Sequence, residues 1–429
     1  MTATYWCEQA WIDDEVRTGV TLGLTGGLIT AVSYAPEPPA GAQALHGLTL
    51  PGLANAHSHT FQRALRGHTQ VGAGSFWTWR EQMYTLATKV DPDQIHALAR
   101  ATFAEMLLAG VTTVGEFHYV HHAPDGSPYS NPNETGHAII AAASETGIRL
   151  TLLDTCYLEG GIARFRDRDV TAWSQRVAEL RDSEQLRIGA AIHSIRAVDP
   201  TAAAQVAEFT GRRPLHAHVS EQPGENQECL SRYGATPTTV LPVSANFTAV
   251  HATHLTDGDI ERLGGAGASI CLCPTTERDL ADGIGPARRL RDAGSRLAVG
   301  SDSQAVIDLF EEARAIELDE RLATGVRGHH SAADLVSAAT ANGHACLGWP
   351  DGGLIAEGAL ADLVTVATDS VRTAGTPADA IVFSASAADV RDVIVAGRRI
   401  VVDGRHLSID VAAELRTAIG NAIGTVSGR

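Results

Sequence analysis

What most constrains this chain is an alternation. From Leu50 onward, apolar runs of strand length are each followed by a segment whose apolar residues recur at helical spacing. The clearest unit opens at Asp91-Pro92, a cap followed by a first-turn proline. It places Ile95, Leu98, Ala99, Phe103, Met106 and Leu107 on one face, closes at Gly110, and leads directly into the strand Val111 to Phe117. The pattern predicts further strands near 148–157, 187–194, 214–219, 247–252, 268–273 and 296–301. Helices are predicted near 134–146, 171–184, 200–210, 225–232, 256–263, 286–293, 307–324 and 331–346. With the run ending at Ala54, these make eight β-then-α units, which suggests a (β/α)8 barrel of the TIM type rather than an open doubly wound sheet.

The flanks read differently. Residues 1–50 carry short strands at Val20–Leu24 and Leu28–Val32, then a Pro/Ala/Gly stretch from Pro36 to Gly41. After Gly353 short strands return at Leu363–Val366, Ala380–Phe383, Val393–Ala396 and Arg399–Val402, with a hairpin through Gly397-Arg398 and a helical tail from Ile409. The expected organisation is an α/β chain: a barrel over 51–352, a small β-sandwich formed by 1–50 with 353–405, and a C-terminal helix in 406–429.

A formal net charge of -17 and a pI near 5.5 argue against a nucleic-acid footprint or an anionic membrane surface as partner. Neither a signal peptide nor an apolar membrane span is legible, so the cytoplasm is the expected compartment. Six scattered cysteines form no disulfide framework and read as thiols, Cys271 and Cys273 included. The only lysine is Lys89. That scarcity removes Schiff-base and P-loop chemistry.

In a barrel, residues at the C-terminal ends of the strands converge on one mouth. Strand 1 ends in His57 and His59, strand 2 in Glu116-Phe117-His118-Tyr119, and strand 4 in His193-Ser194-Ile195-Arg196. Strand 5 ends in His216 through Glu221, strand 6 in His251, and strand 8 in Ser301-Asp302-Ser303. His57, His59, His218 and Asp302 supply three nitrogens and an oxygen, a donor set that suits one zinc ion with a position left for water. Iron or manganese is not distinguished by ligand type. Binuclear barrel hydrolases bridge their metals with a carboxylated lysine on strand 4; Lys89 lies before the helix leading into strand 2, so a single metal is expected.

HxH after strand 1, HxxE on strand 5, His on strand 6 and Asp on strand 8 resemble the amidohydrolase superfamily in its mononuclear deaminase branch. More narrowly, Asn55 to Arg63, Ser75-Phe76-Trp77-Thr78-Trp79-Arg80-Glu81-Gln82-Met83-Tyr84, Gly115 to Tyr119 and Cys273-Pro274-Thr275-Thr276-Glu277 resemble the formimidoylglutamate deiminases of histidine degradation. The resemblance covers nearly the whole chain. It implies that Glu221 shuttles protons, that His251 and Asp302 act beside the metal-activated water, and that Gln62, Arg80, Tyr119, His193 and Arg196 line the substrate pocket. The loop Ser303 to Asp308 departs from the pattern.

The chemistry has independent grounds. A zinc-bound water has a pKa lowered towards about 7, and a nearby carboxylate is a competent proton relay. A glutamate moiety brings two carboxylates to an acidic chain, so local cations are needed; Arg80 and Arg196 fit as bidentate forks. The aromatic cluster Phe76, Trp77, Trp79 and Tyr84 is read as a scaffold aiming Arg80. The expected function is hydrolysis of N-formimidoyl-L-glutamate to N-formyl-L-glutamate and ammonia by a homodimeric enzyme. Two rivals stand beside it: a related deaminase of a purine or pterin ring, and a catalytically inactive barrel serving as a binding module.

Overall fold

The computed structural model describes residues 2–70 and 73–427. The chain opens with β1 (Thr2–Ile12), β2 (Glu15–Thr25), β3 (Leu28–Tyr34) and β4 (Gln43–Pro51). The two-residue turns Asp13-Asp14 and Gly26-Gly27 have positive φ throughout, the backbone twist that tight hairpins require.

Eight parallel strands follow: β5 (Leu53–Ser58), β6 (Val111–His118), β7 (Arg149–Cys156), β8 (Leu186–Ile192), β9 (Leu215–Val219), β10 (Phe247–His251), β11 (Ser269–Leu272) and β12 (Arg296–Val299). Each pairs with its sequence neighbours. The ring closes where β5 meets the end of β12: the His59 N–H donates to the Asp302 carbonyl (3.1 Å) and the Asp302 N–H to the His57 carbonyl (3.0 Å). Gly300 permits this approach, because a Cβ there would lie 2.8 Å from both the Cβ and the carbonyl oxygen of His57. The barrel architecture expected from the alternation is the one observed.

Helices α1 (Phe76–Ala87) and α2 (Pro92–Leu108) lie between β5 and β6. Asp91 caps α2, accepting from the Gln94 N–H (2.8 Å), while the Gln94 side chain accepts from the Asp91 N–H (3.0 Å). The helix predicted over 331–346 breaks at Thr340 into Ala332–Ala339 and Ala341–Cys346. The second piece plugs the N-terminal end of the barrel. His344 Nε2 meets Thr113 Oγ1 (3.0 Å), the Leu347 carbonyl accepts from Thr151 Oγ1 (2.7 Å), and the Cys346 carbonyl lies 3.1 Å from His216 Nε2. Among the described residues, this leaves the C-terminal mouth as the open end of the barrel.

The chain then returns to the first sheet through β13 (Leu363–Val366), β14 (Val390–Val395), β15 (Arg398–Val402) and β16 (Arg405–His406), giving one eight-stranded sheet in the order β16-β15-β14-β13-β4-β1-β2-β3. One face, with Leu48, Leu50, Val364 and Val393, joins the barrel core; the other buries Tyr5, Val20, Leu22, Leu45 and Ile394. The predicted strand at Ala380–Phe383 is instead a 3-10 helix, Ala378–Phe383. Arg314 Nη1 instead donates to the Val382 carbonyl within it and to that of Ala385 just beyond it, at 3.1 and 2.9 Å. The tail forms the helix Val411–Ser427. Among the described residues, no helix is long and apolar enough to cross a membrane.

Candidate active site

His57, near the end of β5, and His59, just past it, lie two residues apart, so both rings face the barrel axis. His218 reaches them from β9, and Asp302 from the turn after β12. His57 Nε2 lies 3.1 Å from His218 Nε2 and 3.2 Å from Asp302 Oδ1, while His59 Nε2 is 3.3 Å from the same oxygen. One ligand atom from each of the four lies within 4.8 Å of the others, and all four residues are buried.

Hydrogen bonds behind the rings decide what this cluster can hold. His59 Nδ1 is 2.9 Å from the Phe117 carbonyl and His218 Nδ1 is 2.9 Å from the His193 carbonyl, so each Nδ1 donates and each Nε2 turns its lone pair inward. Burial pushes His57 down to about 3 and also lowers His59 and His218, which leaves the rings neutral at pH 7. Burial alone would raise Asp302, but the hydrogen bond from His57 and the positive charge of nearby His251 hold its carboxyl well below the usual range. Three neutral imidazoles and a carboxylate aimed at one point fit a divalent metal.

Beside this cluster stand Glu221 and His251. His251 Nε2 lies 3.7 Å from Glu221 Oε1 and 3.9 Å from Asp302 Oδ2. Burial disfavours the charged ring, yet Glu221, Glu277 and Asp302 outweigh it and lift His251 well above the ordinary imidazole range. Burial raises Glu221, against the pull of His251 and Arg196. Backbone strain accompanies these positions: Ser220, His251 and Asp302 have φ of 52°, 67° and 43°.

The cluster opens into a cavity of about 360 Å³. Gln62, Arg80, Tyr119, His193 and Arg196 all line it, together with His59, His218, Glu221, His251 and Asp302. Gln62 Nε2 donates to Tyr119 Oη (2.9 Å). The aromatic block is the helix α1, and it carries Arg80 with its guanidinium 4.5 Å from the Trp77 ring centroid and 5.4 Å from that of Tyr84. Arg196 Nη2 is 3.4 Å from Glu221 Oε2, and the Nε atoms of both arginines are buried without a hydrogen-bond partner. Two histidines expected at the mouth are turned elsewhere: His118 bonds Thr135 Oγ1 (3.1 Å), and His216, at the start of β9, reaches the plug helix at the opposite end.

Residues 48–400 match the model of the amidohydrolase family. The chain is an amidohydrolase. It is 38% identical over 398 residues to the formimidoylglutamate deiminase of Pseudomonas aeruginosa, which covers 85% of this amidohydrolase and 87% of that protein. It is 29% identical over 399 residues to the 5-methylthioadenosine/S-adenosylhomocysteine deaminase of Natronomonas pharaonis, with 89% and 87% covered. Among solved structures, an amidohydrolase from Brucella melitensis superposes with a TM-score of 0.91 at 32% identity, over 98% of this chain and 100% of that one. Family and cluster together make this amidohydrolase a metal-dependent hydrolase of C–N bonds.

Sequence reasoning placed three buried polar residues of the amidohydrolase without giving them a role. Glu116 accepts from Ser58 Oγ (2.7 Å), the Thr60 N–H (2.7 Å) and Thr60 Oγ1 (2.8 Å), and burial raises it to about 7. Gln304 donates to Ser58 Oγ (3.0 Å) and accepts from Ser301 Oγ (2.7 Å); it sits in the loop after β12 and supports the barrel seam rather than lining the cavity. Glu277 touches His251 Nδ1 at 3.3 Å. The available signal was the acidic residue four positions past Cys273 and three past Pro274, where a first-turn side chain turns back to the strand end.

Proposed function

We propose that this amidohydrolase is a zinc-dependent deiminase that converts N-formimidoyl-L-glutamate to N-formyl-L-glutamate and ammonia, a step of histidine degradation, as a cytoplasmic homodimer whose catalytic unit is the barrel, residues 51–352. The observation that carries the reading is the pair Arg80 and Arg196 in one cavity with Glu221 and the ligand cluster. A substrate with two carboxylates and a cationic amidine end matches those charges; a neutral heterocycle matches neither arginine.

His57, His59, His218 and Asp302 would hold the metal, and when bound it supplies Lewis acidity that lowers the pKa of a water towards about 7. Glu221 takes the proton of the attacking water and returns it to the departing nitrogen, a double duty suited to a carboxylate whose pKa burial has raised. His251 presents Nε2 to the same centre and stabilises the tetrahedral oxygen. Arg80 and Arg196 bind the two carboxylates, while Gln62, Tyr119 and His193 fix the angle at which the formimidoyl carbon arrives.

The test is ammonia release by metal-analysed enzyme on three compounds: the formimidoyl derivatives of glutamate and aspartate, and an aminopurine. Preference for the glutamate derivative is expected. Turnover of the aminopurine alone would make the protein a ring deaminase, and absence of both turnover and stoichiometric metal would leave a binding module.

A further inference from the structure

His251, Cys273 and Glu277 form a second cluster of buried groups with ligand atoms within 4.8 Å of one another. Its geometry is that of a support, not of a metal site. Glu277 sits on the short helix Pro274–Asp279, and its Oε1 accepts the Cys273 N–H at 2.8 Å, which locks the carboxylate against the end of β11. The same oxygen lies 3.3 Å from His251 Nδ1. His251 holds a left-handed backbone (φ 67°) at the end of β10, a conformation costly for a non-glycine residue, so its ring needs fixing from outside its own strand.

We propose that Glu277 is the positioning residue for His251. By accepting the Nδ1 proton it sets the ring's rotation and leaves Nε2 as the nitrogen presented to Glu221 and Asp302, 3.7 and 3.9 Å away. Glu277 does not line the cavity and acts only through His251. The inference rests on the proposed role of His251, and its test contains an arm that needs no turnover.

Four proteins are compared with the parent as metal-loaded enzymes: Glu277→Leu, Glu277→Gln, His251→Asn and the double variant His251→Asn/Glu277→Leu. The amide oxygen of Gln can accept both bonds, so Glu277→Gln is expected within about tenfold of the parent, while Glu277→Leu loses about 100-fold in kcat with KM within about threefold. In the His251→Asn background the leucine change should cost under about threefold more, since residues acting as a unit are not additive. Equal losses in the Gln and Leu variants, or full additivity with His251→Asn, would overturn the proposal. Side-chain ¹⁵N spectra, with the His251 signal assigned by its loss in His251→Asn, should show Nδ1 protonated in the parent and in Glu277→Gln but not in Glu277→Leu. That measurement stands even if formimidoylglutamate is not the substrate. Two metal equivalents per parent chain falling to one in Glu277→Leu would instead make Glu277 a ligand and sink the idea.

Discussion

Arg196 is a cation with work left over. Among the described residues its ion-pair contact in the cavity, to Glu221, is long at 3.4 Å, its Nε is buried without a hydrogen-bond partner, and the Phe76 ring centroid lies 5.7 Å from its guanidinium. A carboxylate arriving from solvent would complete it with a fork that an ammonium cannot reproduce. Arg196→Lys is therefore expected to lower kcat/KM for formimidoylglutamate by at least about tenfold, the value of a charged hydrogen bond of roughly 1.5 to 3 kcal/mol, and Arg80→Ala by a similar factor. Steady-state kinetics decide it, and unchanged values would remove the argument for a dicarboxylate. A different residue adds to the acid sensitivity that several buried histidines share. His330 is 3% exposed, lies 3.2 Å from Arg291 Nη1 through its Nδ1, and is pushed down to about 4 by burial and by Arg291. The unfolded chain, with an imidazole pKa near 6.5, binds the extra proton first, so stability falls as pH drops from about 6.5 towards 4, by about 3 kcal/mol at most. His330→Gln keeps an acceptor for Arg291 and should reduce the loss of Tm between pH 6.5 and 4.5 relative to the parent.

At the scale of elements, the seam between β5 and β12 determines whether the ligands converge. Asn55, Ser301, Gln304, Ser58 and Glu116 form a chain of buried hydrogen bonds along it, all between 2.7 and 3.0 Å. Ser58 alternates with His57 and His59, so a bond that fixes Ser58 on the outer face fixes both rings on the inner one. Gln304→Ala breaks this chain at its middle, with an expected loss of about 10- to 100-fold in metal affinity, measured by competition with a chromogenic chelator. The alternation of strands and helices was readable because it is local: Asp91-Pro92 caps α2 wherever it is placed, and the HxH pair needs only a strand end. What escaped reading depends on partners far along the chain. Thr2–Ile12 is buried on both faces at Tyr5-Trp6-Cys7 and shows no alternation, because Tyr5 and Cys7 pack into the outer apolar cluster while the Trp6 indole on the other face donates to the distant Ala35 carbonyl (2.9 Å). Ala380–Phe383 has strand-like composition, yet Arg314 on the helix Leu309–Thr324 takes the carbonyls around it. Glu277 and Gln304 looked like ordinary polar residues of loops and short helices; only the ring closure brings them to the site.

For the molecule as a whole, barrel and sheet are joined by a buried ion pair. Arg149, at the start of β7, reaches across to Asp362, just before β13, with Nε to Oδ2 at 2.8 Å and Nη2 to Oδ1 at 3.1 Å. Neither side chain is more than 2% exposed. Asp362 Oδ1 also accepts the Ala396 N–H (2.7 Å), Arg149 Nη1 donates to the Glu184 carbonyl (2.9 Å), and the guanidinium lies 4.6 Å from the Trp349 ring centroid. Coulomb attraction in such a place barely covers the cost of taking two ions out of water, but removing one partner leaves the other charged and stranded. Arg149→Met is thus expected to cost about 3 to 5 kcal/mol in unfolding free energy, whereas the double variant Arg149→Met/Asp362→Leu should recover most of it, less the bond to Ala396. Because the pair lies at the end of the barrel opposite the cavity, kcat at 25 °C should be unchanged in every variant that stays folded. Denaturant melts and a double-mutant cycle separate the cases: additive losses in the two single variants would mean that the pair does not tie barrel to sheet, and that the shared apolar face of Leu48, Leu50, Val364 and Val393 holds them together alone.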